Sequence, residues 1–500
     1  MWRNSFARII SVKSVGIFLY IAAVVGIVLF GDLKRLCLCY DPIDYSFYAQ
    51  FAARLLDVGL SKSLFVQPVG FNFLGYYGTE GIYSIHQSLH LEIIKYVYAL
   101  VFRLWNSPVA LYLLVASLYF LPIIYLSKIH RVEQKYDQEF ILLFMFTYIS
   151  FPSVLSTVTF DLRPRILLGP FWLLSFLAII YRRPLIEKII CFGLLFLARE
   201  EAIILGSFCI ALNLFSEQQK RKALAETGIL TLAWIGYLFL TISYFKWTGY
   251  QWYPEEQSLP NLLPFLAAPI VTMTVLAFLA IRNRIKNNLS ASNQLVQLLI
   301  IISSSLPLII RLKTDLANWV SLGRSPIEIA FGFLTGAKLQ LYFVFTLLLI
   351  IMAWKLAQKH GTFLRIWGVS LVFFLVISTY RSINYIQDYQ KQAKLATIVF
   401  QVVENTNPYQ THILTDEQTF QAFFNYEHAI IYNRLPWSIA QEKRFFPDNY
   451  SHLSQLISQM EYAVITNENF EILNTFLHNT NTPYKIMARN ARYSVLEINP

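Results

Sequence analysis

The sequence predicts a polytopic α-helical membrane protein with about 11 membrane segments and a small exoplasmic α/β unit at its C-terminal end. Three observations carry that expectation. Of the 500 residues, 56% are hydrophobic and 14% charged, where a water-soluble globule carries about 25% charge. Long apolar runs recur through the chain as far as about residue 380. Beyond Ser382 the composition turns polar, with Asn, Gln, Thr and Tyr throughout. Disordered, collagenous and disulfide-scaffold classes are excluded: Gly and Pro stand at an ordinary 19 each and cysteine at only four.

The first apolar run, about Val15 to Phe30, follows Arg3, Arg8 and Lys13. No small-residue cleavage site comes after it, only Asp32, Lys34 and Arg35, so it reads as a retained first span with a cytoplasmic N-terminus. Further long apolar runs start near Pro108, Phe140, Arg165, Leu185, Ala202, Leu224, Leu262, Gln294, Lys338 and Phe363, which makes about eleven segments. Every other loop carries a basic cluster: Lys128, Arg131 and Lys135; Arg182 and Arg183; Lys220 to Lys222; Arg282, Arg284 and Lys286; Lys355, Lys359 and Arg365. Alternate loops rich in Lys and Arg are what retention in the cytoplasm produces, and an odd number of spans then puts the C-terminal end outside. The net charge of +11 has this origin and implies no nucleic acid.

Two stretches depart from simple spans. Residues 31–107 form a long first exoplasmic loop whose amphipathic pieces, Tyr45–Leu56 and Leu89–Trp105, read as helices lying at the interface. Between Leu185 and Phe215, Arg199-Glu200-Glu201 interrupts two short apolar pieces. Charges there are costly on a lipid face, which predicts short or re-entrant helices meeting in a wet cavity. Glu187 and Lys188 read as interfacial.

The chain divides into a transmembrane domain, 1–381, and an exoplasmic α/β domain, 382–500. In the latter, β-rich runs at His412–Leu414, His428–Tyr432, Tyr462–Thr466, Tyr484–Met487 and Tyr493–Ile498 alternate with helical Tyr450–Met460 and Phe470–His478. Cys37 and Cys39 lie two residues apart, a poor geometry for bonding to each other. Cys191 and Cys209 sit in apolar runs. The sequence shows no internal repeat, phosphate-binding Gly loop, zinc spacing or nucleophile elbow.

With this topology, acids, arginines and histidines from separate segments reach one membrane face. They are Asp41, Asp44, His86, Asp161, Arg163, Arg165, Arg199, Glu200 and Glu201, with Arg324 and Glu328 in a later loop. Each has a plain structural alternative. Asp44 suits a helix N-cap, Asp41 a solvated turn beside Pro42 and His86 a satisfied loop position, while Arg163 and Arg165 suit snorkelling at the boundary. An ion pair inside an apolar stretch, as at Arg199-Glu200-Glu201, is harder to explain structurally.

The ordered motifs resemble a family of bacterial polytopic membrane proteins, of unassigned function, within the GT-C superfamily of lipid-phosphate-sugar glycosyltransferases. Asp44-Tyr-Ser-Phe-Tyr-Ala-Gln50 is similar to the family's first-loop element, with Ala49 in place of its second acid. His86 opens an apolar stretch ending Tyr98-Ala99-Leu100. Phe160-Asp161-Leu162-Arg163-Pro164-Arg165 resembles Phe-Asp-Phe-His-Pro-Glu. Arg199-Glu200-Glu201 resembles Lys-Glu-Asp, and Leu322 to Glu328 resembles Leu-Gly-x-Ser-Pro-x-Glu. Glu461-Tyr-Ala-Val-Ile-Thr466 is similar to part of the family's end domain.

The resemblance implies transfer of a sugar from a polyprenyl-phosphate donor to an acceptor at the outer face of a bacterial inner membrane. It places the general base in the first loop, at Asp44 and next at Asp41, with His86 bridging base and substrate. Arg163, Arg165 and Arg199 would stabilise the leaving lipid phosphate, and Asp161, Glu200 and Glu201 would orient them or hold sugar hydroxyls. No cofactor is implied. Arg163 and Arg165 stand where the family has His and Glu, and arginine cannot ligate a cation, so the chain either works without metal, with these arginines as a phosphate clamp, or has drifted from the family's chemistry. Two other functions fit the same features: transport or flipping of a lipid-linked or anionic solute, and a catalytically silent scaffold of the same architecture.

Overall fold

A computed structural model describes residues 12–40, 48–49, 52–53, 72–73, 91–133, 138–150, 162–200, 202–216, 220–247, 361–416, 418–426, 428–431 and 457–500. Helix α1 (Val12–Leu36) is the expected first run, extended at both ends. At 25 residues it is about 37 Å long, more than the roughly 30 Å of a bilayer's hydrocarbon. Its last turn closes when Leu38 takes the left-handed conformation, φ 54°, and the Cys39 N–H reaches back to the Lys34 carbonyl at 2.9 Å. That reversal also brings the Cα atoms of Cys37 and Cys39 to 5.2 Å and into a disulfide, against the expectation from their spacing.

Short helices follow: α2 (Ile94–Leu104), α3 (Pro108–Tyr119), α4 (Leu121–Glu133) and α5 (Gln138–Ser150). A 3₁₀ turn (Pro164–Leu167) leads into α6 (Leu168–Ile180). Next come α7 (Leu185–Ala198), α8 (Ala202–Ser216) and α9 (Lys220–Trp247). Among the described residues, three paths are long and apolar enough to cross a membrane, by length and composition: Val12–Leu36, the stacked α3–α4 path Pro108–Ile129, and Arg221–Ser243. The runs expected near Leu262, Gln294 and Lys338 lie outside the described residues.

Helix α6 is apolar all round and buried along almost its whole length, the position such a composition requires. Around it α7, α8, α4 and α3 pack, while α1 runs along α3, α4 and α5. Two glycines permit the α1 contacts. A Cβ on Gly16 would meet Ser127 Oγ at 2.8 Å, and one on Gly31 would meet Tyr40 Oη at 2.9 Å. Outward-facing Phe18, Leu29, Leu232 and Phe239 are exposed, as side chains against hydrocarbon are.

Helix α10 (Gly361–Asn405) is 45 residues long, about 67 Å, and runs through the change of composition at 381–382 without a break. It carries a six-stranded sheet of order β1-β3-β2-β4-β6-β5. The strands are β1 (Asn72–Phe73), β2 (His412–Thr415), β3 (His428–Ile431), β4 (Tyr462–Thr466), β5 (Tyr484–Arg489) and β6 (Tyr493–Ile498). The first four of these in sheet order pair in parallel, and β6 and β5 close one edge antiparallel. Alternation decides the two faces. Leu414, Ala463, Ile465, Leu496 and Ile498 pack with Phe470, Leu473 and Leu477 of α11 (Asn467–Asn479). Ile413, Val464 and Val495 point the other way, into the core shared with Ala396 and Val399 of α10 and with the membrane helices.

With the stacked α3–α4 path taken as one, successive helices run back and forth, so the described bundle has two ends. At the end bearing the sheet lie the close of α1, α2, the start of α3, the 3₁₀ turn and the α7–α8 turn. At the far end lie Lys128, Arg131, Arg182, Arg183 and Lys220 to Lys222. Glu187 and Lys188 are at the far end too, and Lys188 is not interfacial. It is buried against Glu226 of α9 at 2.5 Å and Asn213 of α8 at 2.8 Å. Glu187 pairs with Arg183 and Lys128, each at 3.1 Å.

Candidate functional site

The clearest concentration of buried charge lies where the entry to α2 meets the α7–α8 turn. Arg199 caps α7 in an extended conformation, φ −172°, ψ 165°. Its carbonyl and that of Glu200 accept from the Ala202 and Ile203 amides at 2.9 and 3.0 Å, which starts α8 at once. The interruption seen in the sequence is therefore a tight turn between two complete short helices.

Opposite it, Leu91 to Lys95 turn into α2. The Leu91 N–H donates to Glu200 Oε2 at 3.1 Å, tying the two segments together. Arg199 Nε lies 3.3 Å from Glu200 Oε1 and 4.0 Å from Glu92 Oε1. Glu92 is 1% exposed, and the Tyr48 hydroxyl donates to its carboxylate, 2.8 and 3.1 Å from the two oxygens. One helical turn on, Lys95 is 4% exposed. Burial pulls its ammonium down to about 8, while the negative charges of Glu92 and Glu200 pull the other way. Tyr48, Glu92, Lys95, Arg199 and Glu200 thus form one buried polar group drawn from three segments, as a low-dielectric interior demands of charges.

Arg163 and Arg165 are half-buried on the 3₁₀ turn, which packs against α3 and α7. Because α6 and α7 run antiparallel, this turn sits at the same end as Arg199. Cationic side chains outnumber carboxylates there among the described residues, since Lys34 is also buried, 4.5 Å over the Tyr40 ring. Arginine and lysine are donors only, so this set suits an anion.

Of the residues singled out in the sequence, the structure brings Arg199 and Glu200 together and places Arg163 and Arg165 at the same end. Asp41, Asp44, His86, Asp161 and Glu201 lie outside the described residues, as do Arg324 and Glu328. Sequence reasoning missed Tyr48, Glu92 and Lys95. The sequence reads Leu89–Trp105 as an amphipathic helix lying at the interface. Instead Glu92 and Lys95, three apart, share the inward face with Tyr98 and Phe102. Their spacing at the entry to a largely apolar helix is the available signal. Ala49, where the resemblance expects an acid, is 0% exposed in the core.

No protein family model matches the chain, nor does any curated protein. Two solved structures are similar in outline, both of ArnT from Cupriavidus metallidurans. The one bound to undecaprenyl phosphate covers 95% of this chain and 97% of its own, at 12% identity and TM-score 0.49. The apo one covers 95% and 98%, at 13% identity and TM-score 0.41. A likeness at that level assigns neither family nor activity.

Proposed function

We propose that the chain is an inverting membrane glycosyltransferase of GT-C type, moving a sugar from a polyprenyl-phosphate donor to an acceptor on the exoplasmic face. The observation that supports it most is the buried group of Lys95, Arg199, Glu92 and Glu200 beside the turn that carries Arg163 and Arg165. The basic residues described between helices, Lys128, Arg131, Arg182, Arg183 and Lys220 to Lys222, lie at the far end, and the positive-inside tendency supports a cytoplasmic far end with the site and the sheet outside.

In the proposed reaction the acceptor hydroxyl oxygen attacks the anomeric carbon as the bond from that carbon to the phosphate oxygen breaks. Asp44, or Asp41 in its place, takes the hydroxyl proton, and His86 helps seat the acceptor. The lipid phosphate leaves with the bonding pair, its growing charge met by Arg163, Arg165, Arg199 and Lys95. Glu92 and Glu200 hold Arg199 in place, and Asp161 and Glu201 face the sugar hydroxyls. One displacement inverts the anomeric centre.

Purified full-length chain in nanodiscs, given a polyprenyl-phosphate sugar, should release the lipid phosphate. Arg199→Ala should slow that release by roughly 100-fold, the usual cost of one charge-stabilising donor. Asp44→Asn should abolish it. No release from wild type, together with an unchanged cellular glycan profile in the Asp44→Asn strain, would sink the reading. The burial of Ala49 favours a second reading, a silent scaffold, because an acid there would sit in the core. In that case the phenotype of deleting 383–500 should equal that of deleting the gene.

A further inference from the structure

One short segment after β2, residues 418–431, touches the first loop at its start, middle and end. At the start, Gln421, 1% exposed, spends its whole carboxamide on the chain leaving α1. Its Oε1 accepts from the Tyr40 N–H at 3.2 Å, and its Nε2 donates to the Leu38 and Tyr40 carbonyls, each at 3.3 Å. Gln418 donates to the same Leu38 carbonyl. In the middle, Ile430 and Ile431 of β3 pair in parallel with Asn72 and Phe73, so β1 extends the sheet. At the end, the Phe424 ring meets Phe102 of α2 edge-on, centroids 6.2 Å apart. Tyr40 directly precedes Asp41, and α2 carries Lys95 just past Glu92.

We infer that the 418–431 segment is a clamp that fixes the first loop, and that Gln421 is a positioning residue for the acids and cations this loop bears. The catalytic part of the inference rests on the glycosyltransferase reading; the clamp does not. A buried side-chain amide that satisfies one N–H and two C=O groups ties the turn at 38–40 to the segment after β2. With three anchors along one loop, freeing the first loosens the segment leading to Asp41 and Asp44 while the membrane helices stay packed. The C-terminal sheet is then a brace for the site as well as a fold in its own right.

Hydrogen exchange on the full-length chain in nanodiscs tests this without any substrate. Gln421→Ala should raise exchange at the Tyr40 amide and through 38–49 by about tenfold, the worth of one lost hydrogen bond. Phe424→Ala should do the same for 94–104. Residues 202–247 should keep wild-type protection in both, which separates a released loop from an unfolded protein. A cross-link between Asn72→Cys and Ile430→Cys, register partners across β1 and β3, should restore part of the protection lost in Gln421→Ala.

For catalysis, Gln421→Ala should lower kcat for sugar release with donor KM little changed. Unaltered exchange at 38–49 and 94–104 in both single variants overturns the clamp. Faster exchange with kcat unaltered overturns the positioning role. Faster exchange in a chain whose wild type transfers no sugar upholds the clamp and sinks the glycosyltransferase reading alone.

Discussion

Lys95 is the residue on which the electrostatics of the site turn. Its charged form is disfavoured by burial, so its pKa falls from 10.5 to about 8. The unfolded chain therefore holds more protons than the folded one between these values, and folding stability rises with pH through that window. Anion binding runs the opposite way, because the ammonium that would meet a phosphate is lost over the same range. Donor affinity should weaken as pH rises from 7 to 9, by tenfold or so if one charge-assisted hydrogen bond is at stake. In Lys95→Arg the charge persists and the profile should flatten. A binding titration with a polyprenyl-phosphate sugar at several pH values reads both, and a flat wild-type profile would remove Lys95 from the site.

Among the elements, α7, α8 and α9 show how two short helices are held against a long one. Their apolar surfaces pack on one another, and those of α7 and α8 on α6, yet at the far end Lys188, Asn213 and Glu226 form a buried polar link across all three. Glu226→Ala strands an uncompensated ammonium and should cost about 3–5 kcal/mol, while Lys188→Met with Glu226→Leu should be close to neutral. Thermal unfolding of the two variants in the same detergent separates these cases. Equal losses would mean that the pair contributes more than mutual compensation. This link was not legible in sequence, where Lys188 one turn into a helix looks like any boundary lysine; only the neighbouring helix supplies its partner.

For the molecule as a whole, the continuous α10 ties the membrane helices to the sheet, and the sheet is tied to itself at Asp416. This carboxylate is fully buried at the end of β2. It accepts from the Thr419 N–H and Oγ1 at 2.8 and 2.9 Å, and from the Thr466 N–H and Oγ1, both at 2.6 Å. Asn469 Nδ2 adds a contact at 3.1 Å. It thereby joins β2, the start of the clamp segment, the end of β4 and the N-terminus of α11, where a negative charge is favoured. Asp416→Ala orphans several buried donors and should destabilise the sheet by roughly 3–5 kcal/mol. Limited proteolysis should then cut within 412–500 while 162–247 stays resistant; a wild-type digestion pattern would show that the aspartate is dispensable.

Periodicity and composition by themselves pointed to the described helices and to β2 to β6, and not to the short β1. Apolar runs of bilayer length, basic clusters in alternate loops and strand-like alternation after residue 411 are local properties, readable without knowing what each segment touches. So was the interest of Arg199 and Glu200, because charge inside an apolar run is anomalous wherever it ends up. What only the tertiary structure decided was partnership. Glu92 and Lys95 became part of a buried group because α2 turns that face inward, and Cys37 and Cys39 became bonded because Leu38 reverses the chain. Gln421 became an anchor because the turn at Leu38 to Tyr40, 381 residues from it at Tyr40, lies beside it. The physical reason is common to all three. Burying a charge or an amide is unfavourable unless its complement arrives from elsewhere in the chain, and sequence neighbours do not reveal which distant segment brings it.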